Sequence, residues 1–260
     1  MIGPSVKDFT FTMVAIKPLP IYRTPVVVTL LGFLFLVGLL LVSARPTQAA
    51  VIVLDPGHGG SDSGAGRGSE FAEKQFTLAL AQKIAVLLEA RHRVELTRTA
   101  DVQMEPADRA AVANHLRADL MISLHAAVVP YCSDRTAAVY YHNDERLKIP
   151  FGASSQGVPA ESDADRPAWN QLQIQHQHHS QNLATTLKRS LGNSEAFDSV
   201  TVSGVPLAPL MGADLPAVLV EVGCIHPAAA ADPQTLMQQL DGYAASLANG
   251  IEMALPGLVQ

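Results

Sequence analysis

Three features are scarce or absent in this sequence, and each absence narrows the function. No run of basic residues occurs, and the formal net charge of the 260 residues is -6 at pH 7. This charge argues against a nucleic-acid partner, which favours a basic face. No internal repeat is visible, and the length suits one sizeable domain with additional segments. No compact HExxH motif occurs either, so a metal site would need ligands that are distant in sequence.

An apolar run without any charged residue lies near the N-terminus, from Val26 to Val42. It follows a basic flank and precedes small residues, which is the layout of a secretory signal. Its length also approaches that of a membrane span, so an uncleaved anchor helix at about 26–43 stays open, as does a buried core helix. We expect residues 1–49 to be an export or anchoring segment. The domain at 50–260 would then act in the periplasm or cell envelope, with membrane contact through 26–43 as an open alternative.

Only two cysteines are present, Cys132 and Cys224. They are compatible with an oxidising compartment without demonstrating one. Each follows a predicted strand by a few residues, so a disulfide is an alternative that spacing alone cannot establish. We expect two unpaired buried thiols.

Apolar runs and helical spacings alternate along the rest of the chain. Residues 142–167 are rich in glycine, proline and serine, which predicts a long loop or a lid. Helices are predicted at about 70–90, 106–117, 168–191 and 233–255. Strands are predicted at 51–54, 94–97, 119–124, 137–141, 205–207 and 216–223.

Two histidines are predicted at the carboxyl ends of strands, where open α/β sheets form their sites. His58 follows the first strand, in a turn rich in glycine, and His125 follows the third. Glu73 lies in the first turn of a helix, where the helix dipole favours a carboxylate. It is either a solvated acid at the helix start or a ligand that reaches back to the His58 loop.

A second carboxylate, Glu221, interrupts the apolar strand at 216–223. Burying a carboxylate there is costly unless it is paired or lies near a metal. His176, His178 and His179 are close in sequence but do not share a helix face, so we interpret them as a solvated polar surface.

Two imidazoles and one carboxylate are a catalytic zinc set that leaves a fourth position for water. Zinc lowers the pKa of such a water to about 7. A further carboxylate that does not bind the metal takes the proton from the water and passes it to a leaving amine. Hydrolysis of an amide fits this chemistry.

The motifs resemble those of the zinc-dependent N-acetylmuramoyl-L-alanine amidases, the enzymes that trim bacterial peptidoglycan. They occur in the family's order and cover nearly the whole globular part. The matching segments are LDPGHGG at 54–60, GAGRG at 64–68, EK at 73–74, LTRTAD at 96–101, Arg109 with Ala113-Asn114, SLHA at 123–126 and PAVLVEVG at 216–223.

The resemblance implies a single three-layer α/β domain with a mostly parallel central sheet flanked by helices. It implies one Zn²⁺ held by His58, Glu73 and His125, with Glu221 as the catalytic general base and acid. Glu73 is preferred to Glu70 because the family's glutamate is followed by lysine. The substrate would be the amide that joins N-acetylmuramic acid to L-alanine in peptidoglycan.

Two departures concern substrate fit more than chemistry. Ala127 stands where the family usually has asparagine, and Cys224 stands where it has phenylalanine.

Some relatives carry a helix that covers the zinc until a partner moves it. We therefore expect the loop at 142–167, with its acidic residues Glu161, Asp163 and Asp165, to be a candidate target for a protein activator.

Two competing functions stay open. A zinc carboxypeptidase or deacetylase acting on cell-wall material would use the same metal chemistry. A non-catalytic peptidoglycan-binding module would keep the fold but would be expected to lack a ligand or the base, and all four residues are present.

Overall fold

The computed structural model describes residues 29–35, 49–65, 72–127, 135–143, 169–224 and 233–258. The chain divides into two compact units, residues 1–47 and 48–260. In the first unit, residues 29–35 are helical (α1) and expose apolar side chains. The remainder of the predicted signal or anchor at 26–43 and most of the loop predicted at 142–167 lie outside the described residues. Among the described residues, no helix combines the length and apolar composition needed to span a membrane.

A six-stranded sheet forms the centre of the second unit, in the order β2-β1-β3-β6-β4-β5. Four of the five strand pairings are parallel, and β4 runs antiparallel to β6. The prediction of a mostly parallel sheet is therefore confirmed. The strands are β1 (Val51–Pro56), β2 (Arg93–Leu96), β3 (Leu120–Ala127), β4 (Thr136–His142), β5 (Ser199–Val205) and β6 (Ala217–Cys224).

Helices cover both faces of the sheet, which gives three layers. A large apolar core joins one face to α2 (Glu73–Leu88), α4 (Leu172–Gly192) and α5 (Pro233–Ala254). A smaller core joins the other face to α3 (Pro106–His115) and to the short 3-10 turn Ala208–Leu210. The apolar residues of α2 recur at helical spacing, as Phe76, Leu80, Ile84 and Leu88 are all fully buried.

The alternation of side chains in the central strands decides which residues can form a site. In β3, Ile122 and Leu124 face the large core, while Ser123 and His125 point to the opposite side. By the same alternation, Asp55 of β1 and Glu221 of β6 share that opposite side. Polar groups from three adjacent parallel strands therefore collect on one face near the carboxyl ends of the strands.

The position of the fifth strand was predicted wrongly. A strand was expected at 205–207, but β5 covers Ser199–Val205. This edge strand alternates, because Val200 and Val202 pack against the large core while the serine and threonine residues between them face outward. The rest of the predicted strand, residues 206–207, leads directly into the 3-10 turn Ala208–Leu210.

The position of His125 also differs from the prediction. It lies within β3, two residues before the end of the strand, and not beyond it.

Cys224 is the buried last residue of β6, and it is disulfide-bonded. The expectation of two free thiols is therefore wrong for this residue. A disulfide fits an oxidising compartment. The other cysteine of the chain, Cys132, lies outside the described residues.

Candidate metal and catalytic site

The loop after β1 places His58 beside the end of β3. The amide of Gly57 still donates to the carbonyl of Leu124, at 2.9 Å, and the chain then turns sharply. His58 has a φ of 61°, and Gly59 and Gly60 have φ values of 130° and 60°. A left-handed conformation is uncommon for a residue with a side chain and is frequent at functional sites. The turn brings the rings of His58 and His125 to a centroid distance of 4.9 Å.

Glu73 joins the two imidazoles from the start of α2. Its Oε1 atom lies 3.1 Å from Nε2 of His58 and 3.0 Å from Nδ1 of His125. One ligand atom from each of the three residues can be chosen so that all lie within 4.8 Å of one another. In the described part of the chain, this is the cluster that offers a metal ion three donors.

Backbone amides hold the Glu73 carboxylate in place. The amide of Ala126 donates to Oε1 at 3.0 Å, and the amide of Ala65 donates to Oε2 at 2.9 Å. Burial raises the pKa of Glu73, but the hydrogen bonds and charges of His125 and His58 outweigh burial and hold this pKa well below its usual range. The group is therefore a buried carboxylate anion, which suits a cation ligand.

Asp62 orients the imidazole of His58. Its Oδ2 atom lies 2.8 Å from Nδ1 of His58, which leaves Nε2 directed at Glu73. Burial lowers the pKa of His58, and the bonds to Glu73 and Asp62 raise it above its usual value. A carboxylate on the far nitrogen commonly fixes the ring of a metal-binding histidine.

Two glycines leave the space that the cluster occupies. A Cβ atom on Gly57 would lie 2.4 Å from Cε1 of His125. A Cβ atom on Gly64, whose φ is 65°, would lie 2.6 Å from Oε2 of Glu73 and from Cδ2 of His58. The glycine-rich sequence on either side of His58 is thus required by the close packing of the candidate ligands.

Gly57→Ala should weaken metal binding, because the added methyl group displaces the His125 ring. We expect a loss of zinc affinity of about 10–100-fold, the range found when the support of a ligand is disturbed. Competition with a chromophoric chelator measures this affinity. Gly192→Ala is the matched control, since nothing lies within 4 Å of its Cβ position. Equal affinity in the two variants would contradict the packing argument.

Arg109 fixes the loop from the side of α3. Its Nη1 atom donates to Oδ1 of Asp55 and to the carbonyl of Pro56, both at 2.7 Å. Its Nη2 atom donates to the carbonyl of His58, also at 2.7 Å. Asp55 is buried and also accepts hydrogen bonds from Thr97 and Ser123. The result is a buried ion pair whose polar atoms are satisfied and which holds the backbone of His58.

Arg98 and Lys74 hold the same loop from the other side. Arg98 donates to the carbonyls of Pro56 and Gly57 at 3.0 and 2.8 Å. Lys74 donates to the carbonyl of Gly60 and to Asp101, both at 2.7 Å. Because the loop is so short, its carbonyls cannot pair within a ladder, and these cations satisfy them instead.

Glu221 lies next to the cluster. It pairs with His125 across the parallel strands β3 and β6. Tyr140 of β4 donates a long hydrogen bond, 3.5 Å, to Oε2 of Glu221. The pKa of Glu221 lies above its usual value, since burial and the charge of Glu73 raise it while His125 and Tyr140 lower it. A raised pKa suits a group that takes up and releases a proton near neutral pH.

A cleft of about 330 Å³ opens beside the two candidate histidine ligands. The lining includes His58, His125 and Asp62, and also Glu105 and Pro106 of the segment that opens α3. The cleft gives a substrate access to the cluster from the face that carries α3.

The structure thus brings together His58, Glu73 and His125 and puts Glu221 on the adjacent strand. The three helix histidines lie elsewhere, as His176 pairs with Asp214 while His178 and His179 are exposed. Sequence reasoning missed the roles of Asp55, Asp62 and Tyr140. Asp55 lies inside the motif at 54–60 and Asp62 lies just after it, so this motif was the signal that could have identified both. Nothing in the sequence pointed to Tyr140.

Over residues 52–253, the chain matches the protein family described as N-acetylmuramoyl-L-alanine amidase. The N-acetylmuramoyl-L-alanine amidase AmiC of Neisseria meningitidis serogroup B is 30% identical over 190 residues. These residues are 68% of this chain and 46% of AmiC, so the chain spans about half the length of this relative.

Solved structures agree with this fold. The catalytic domain of CwlV, an N-acetylmuramoyl-L-alanine amidase from Bacillus (Paenibacillus) polymyxa var. colistinus, matches with a TM-score of 0.50 at 26% identity, over 78% of this chain and 96% of that one. The CwlD amidase of Clostridioides difficile, solved in complex with the GerS lipoprotein, matches with a TM-score of 0.58 at 18% identity, over 80% and 99%. Because the family match covers most of the residues and every motif of the site, the chain belongs to the N-acetylmuramoyl-L-alanine amidase family.

Proposed function

We propose that this protein is a zinc-dependent amidase that hydrolyses the bond between N-acetylmuramic acid and L-alanine in peptidoglycan. One observation carries the proposal: in a member of this family, three candidate ligands lie within 4.8 Å of one another beside an open cleft. A second carboxylate, Glu221, stands on the neighbouring strand.

His58, Glu73 and His125 would hold the zinc ion. Two neutral imidazoles and one carboxylate match the ligands of catalytic zinc and leave a position open. The residues fit the ion, because Gly57 and Gly64 clear the space around the three donors and Glu73 is an anion. When bound, zinc supplies a Lewis acid for the amide carbonyl and a water of lowered pKa.

Glu221 would move the proton during hydrolysis. Its carboxylate accepts a proton from the attacking water and later donates it to the amine nitrogen of L-alanine, as the carbon–nitrogen bond breaks. The arrangement of the loop contributes by orientation, since Arg109 and Asp62 hold His58 from two sides. Positioning of this kind requires no movement at the moment of reaction.

We also propose export to the periplasm or cell envelope, through the segment at 26–43 acting as a cleaved signal or as an anchor. The disulfide state of Cys224 supports an oxidising location. Regulation by a protein activator acting on the loop at 142–167 is part of the same proposal. The CwlD amidase was solved in complex with the GerS lipoprotein, which supports a protein partner in this proposal.

The test is digestion of purified peptidoglycan by the zinc-loaded 260-residue chain, with mass spectrometry of the released fragments. We expect free stem peptides that begin with L-alanine, and we expect no product after treatment with a chelator. Product should return when zinc is added back, because the ligands remain intact.

Other products would contradict the proposal. Stem peptides shortened at their carboxyl end would indicate a carboxypeptidase, and loss of acetyl groups would indicate a deacetylase. Binding without any product, also after replacement of residues 144–167 by a short linker, would indicate a binding module.

A further inference from the structure

We propose that Tyr140 is a positioning residue for the reaction, whose hydroxyl group holds one oxygen of Glu221 and leaves the other directed at the attacking water. This inference rests on the proposed function, because it concerns how Glu221 would transfer a proton.

The sheet register places Tyr140 beside Glu221. Tyr140 pairs with Leu219 across the antiparallel strands β4 and β6, and Glu221 lies two residues further along β6. Residues two apart in a strand share a face, and diagonal neighbours on adjacent strands are within reach of an aromatic side chain. The tyrosine therefore lies on the face that carries Ser123 and His125, next to the catalytic carboxylate.

The two ends of the Tyr140 side chain have different environments. The ring packs against the smaller apolar core, whose members include Leu219 and Leu210. The hydroxyl oxygen lies 3.5 Å from Oε2 of Glu221 and donates to it. Catalytic hydrogen bonds are often long before substrate binds and shorten in the complex. Because the ring has only two rotatable bonds and is packed, the hydroxyl is preorganised at small entropic cost.

This geometry assigns different tasks to the two oxygens of Glu221. Oε2 accepts the bond from Tyr140, so its direction is fixed. Oε1 is left to take the proton as the oxygen–hydrogen bond of the attacking water breaks. The same proton then passes to the leaving nitrogen, so that Tyr140 neither gains nor loses a proton in the cycle.

Tyr140→Phe tests the inference, since it removes the hydroxyl and keeps the ring in the core. We expect kcat for a soluble muramyl peptide to fall about 10-fold, the size of one hydrogen bond to a charged group, with KM unchanged. Zinc content and the thermal midpoint should equal those of the wild type. Tyr141→Phe is the matched control, because Tyr141 faces the opposite core and packs at Gly204.

A double-mutant cycle separates action through Glu221 from other effects. In the Glu221→Gln background, adding Tyr140→Phe should lower the residual rate no further, because the group that Tyr140 positions is already lost. An additional 10-fold loss in that background would overturn the inference, since the hydroxyl would then act on the substrate directly. A wild-type kcat for Tyr140→Phe alone, or a change confined to KM, would overturn it as well.

Failure of this inference is distinguishable from failure of the proposed function. If the wild-type chain releases stem peptides that begin with L-alanine, the amidase activity stands whatever Tyr140→Phe does. If neither the wild type nor the variant with residues 144–167 replaced by a short linker releases such peptides, the proposed function fails and this inference fails with it.

Discussion

Glu221→Gln should lower kcat by about 10²–10⁴-fold, the contribution typical of a positioned general acid or base. Glutamine has nearly the size of glutamate but cannot accept a proton from water. The raised pKa of Glu221 and its exclusion from the cluster of candidate ligands both suit this role. We therefore expect the variant to fold, to bind peptidoglycan and to keep one zinc ion, while hydrolysis continues only at the low residual rate.

Two measurements on purified protein check this prediction. Metal analysis gives the zinc content, and quantitative release of stem peptides gives the rate. Glu95→Gln is the control and should have the wild-type rate, because Glu95 is a partly exposed carboxylate that pairs with Arg93. Loss of zinc from Glu221→Gln would instead indicate that Glu221 is a ligand. A rate within a factor of about three of the wild type would exclude it as the general base.

The sequence predicted most of the residues that the structure brings together in the candidate site, because the constraints were local. His58 stands in a turn forced by proline and glycine directly after an apolar run, and His125 stands near the end of another. In parallel sheets such positions meet at one edge, so their proximity followed from the fold class alone. Glu221 was conspicuous because a carboxylate in an apolar strand requires a compensating environment.

What could not be predicted depends on contacts between distant residues. Helical spacing predicts where α2 begins, but it does not show that the Glu73 side chain turns back to His58. Glu73 was preferred to Glu70 as a metal ligand only because of the family resemblance. Tyr140 reaches Glu221 only because β4 runs antiparallel to β6, a pairing that no local pattern encodes. The position of β5 was predicted wrongly because its local pattern was misleading. Its valines alternate with serine and threonine, and such a sequence resembles a solvated loop when burial is unknown.

The charged residues that hold the loop illustrate the same limit. Arg109 was recognised as part of a motif, but its partner Asp55 lies 54 positions earlier. An aspartate before proline has an ordinary local explanation as a turn residue. Only the structure shows that Asp55 is buried and bonded to three side chains from three other elements or loops. The motif at 54–60 therefore contains a residue of a buried tertiary interaction, and the neighbouring sequence does not reveal that interaction.

Arg109→Met should destabilise the domain strongly, by about 3–5 kcal/mol in the free energy of unfolding, the usual cost of breaking a buried ion pair from one side. The change leaves Asp55 buried without its cation, and the carbonyl of His58 loses its donor. Methionine replaces most of the aliphatic volume, so loss of packing contributes little. Denaturant unfolding monitored by circular dichroism gives the free energy, with wild type and variant compared at one zinc concentration.

Arg135→Met is the matched control, because Arg135 makes a two-point ion pair with Asp198 at an exposed site. Water screens that pair, so its loss should cost much less. If Arg109→Met does not fold, Arg109→Lys still tests the argument: lysine keeps the charge but lacks the fork that joins Asp55 to two carbonyls, so it should be destabilised and bind zinc more weakly than the wild type. If the lysine variant matched the wild type in both properties, charge alone would hold the loop. If Arg109→Met cost no more than Arg135→Met, the buried pair would not be what keeps His58 in place.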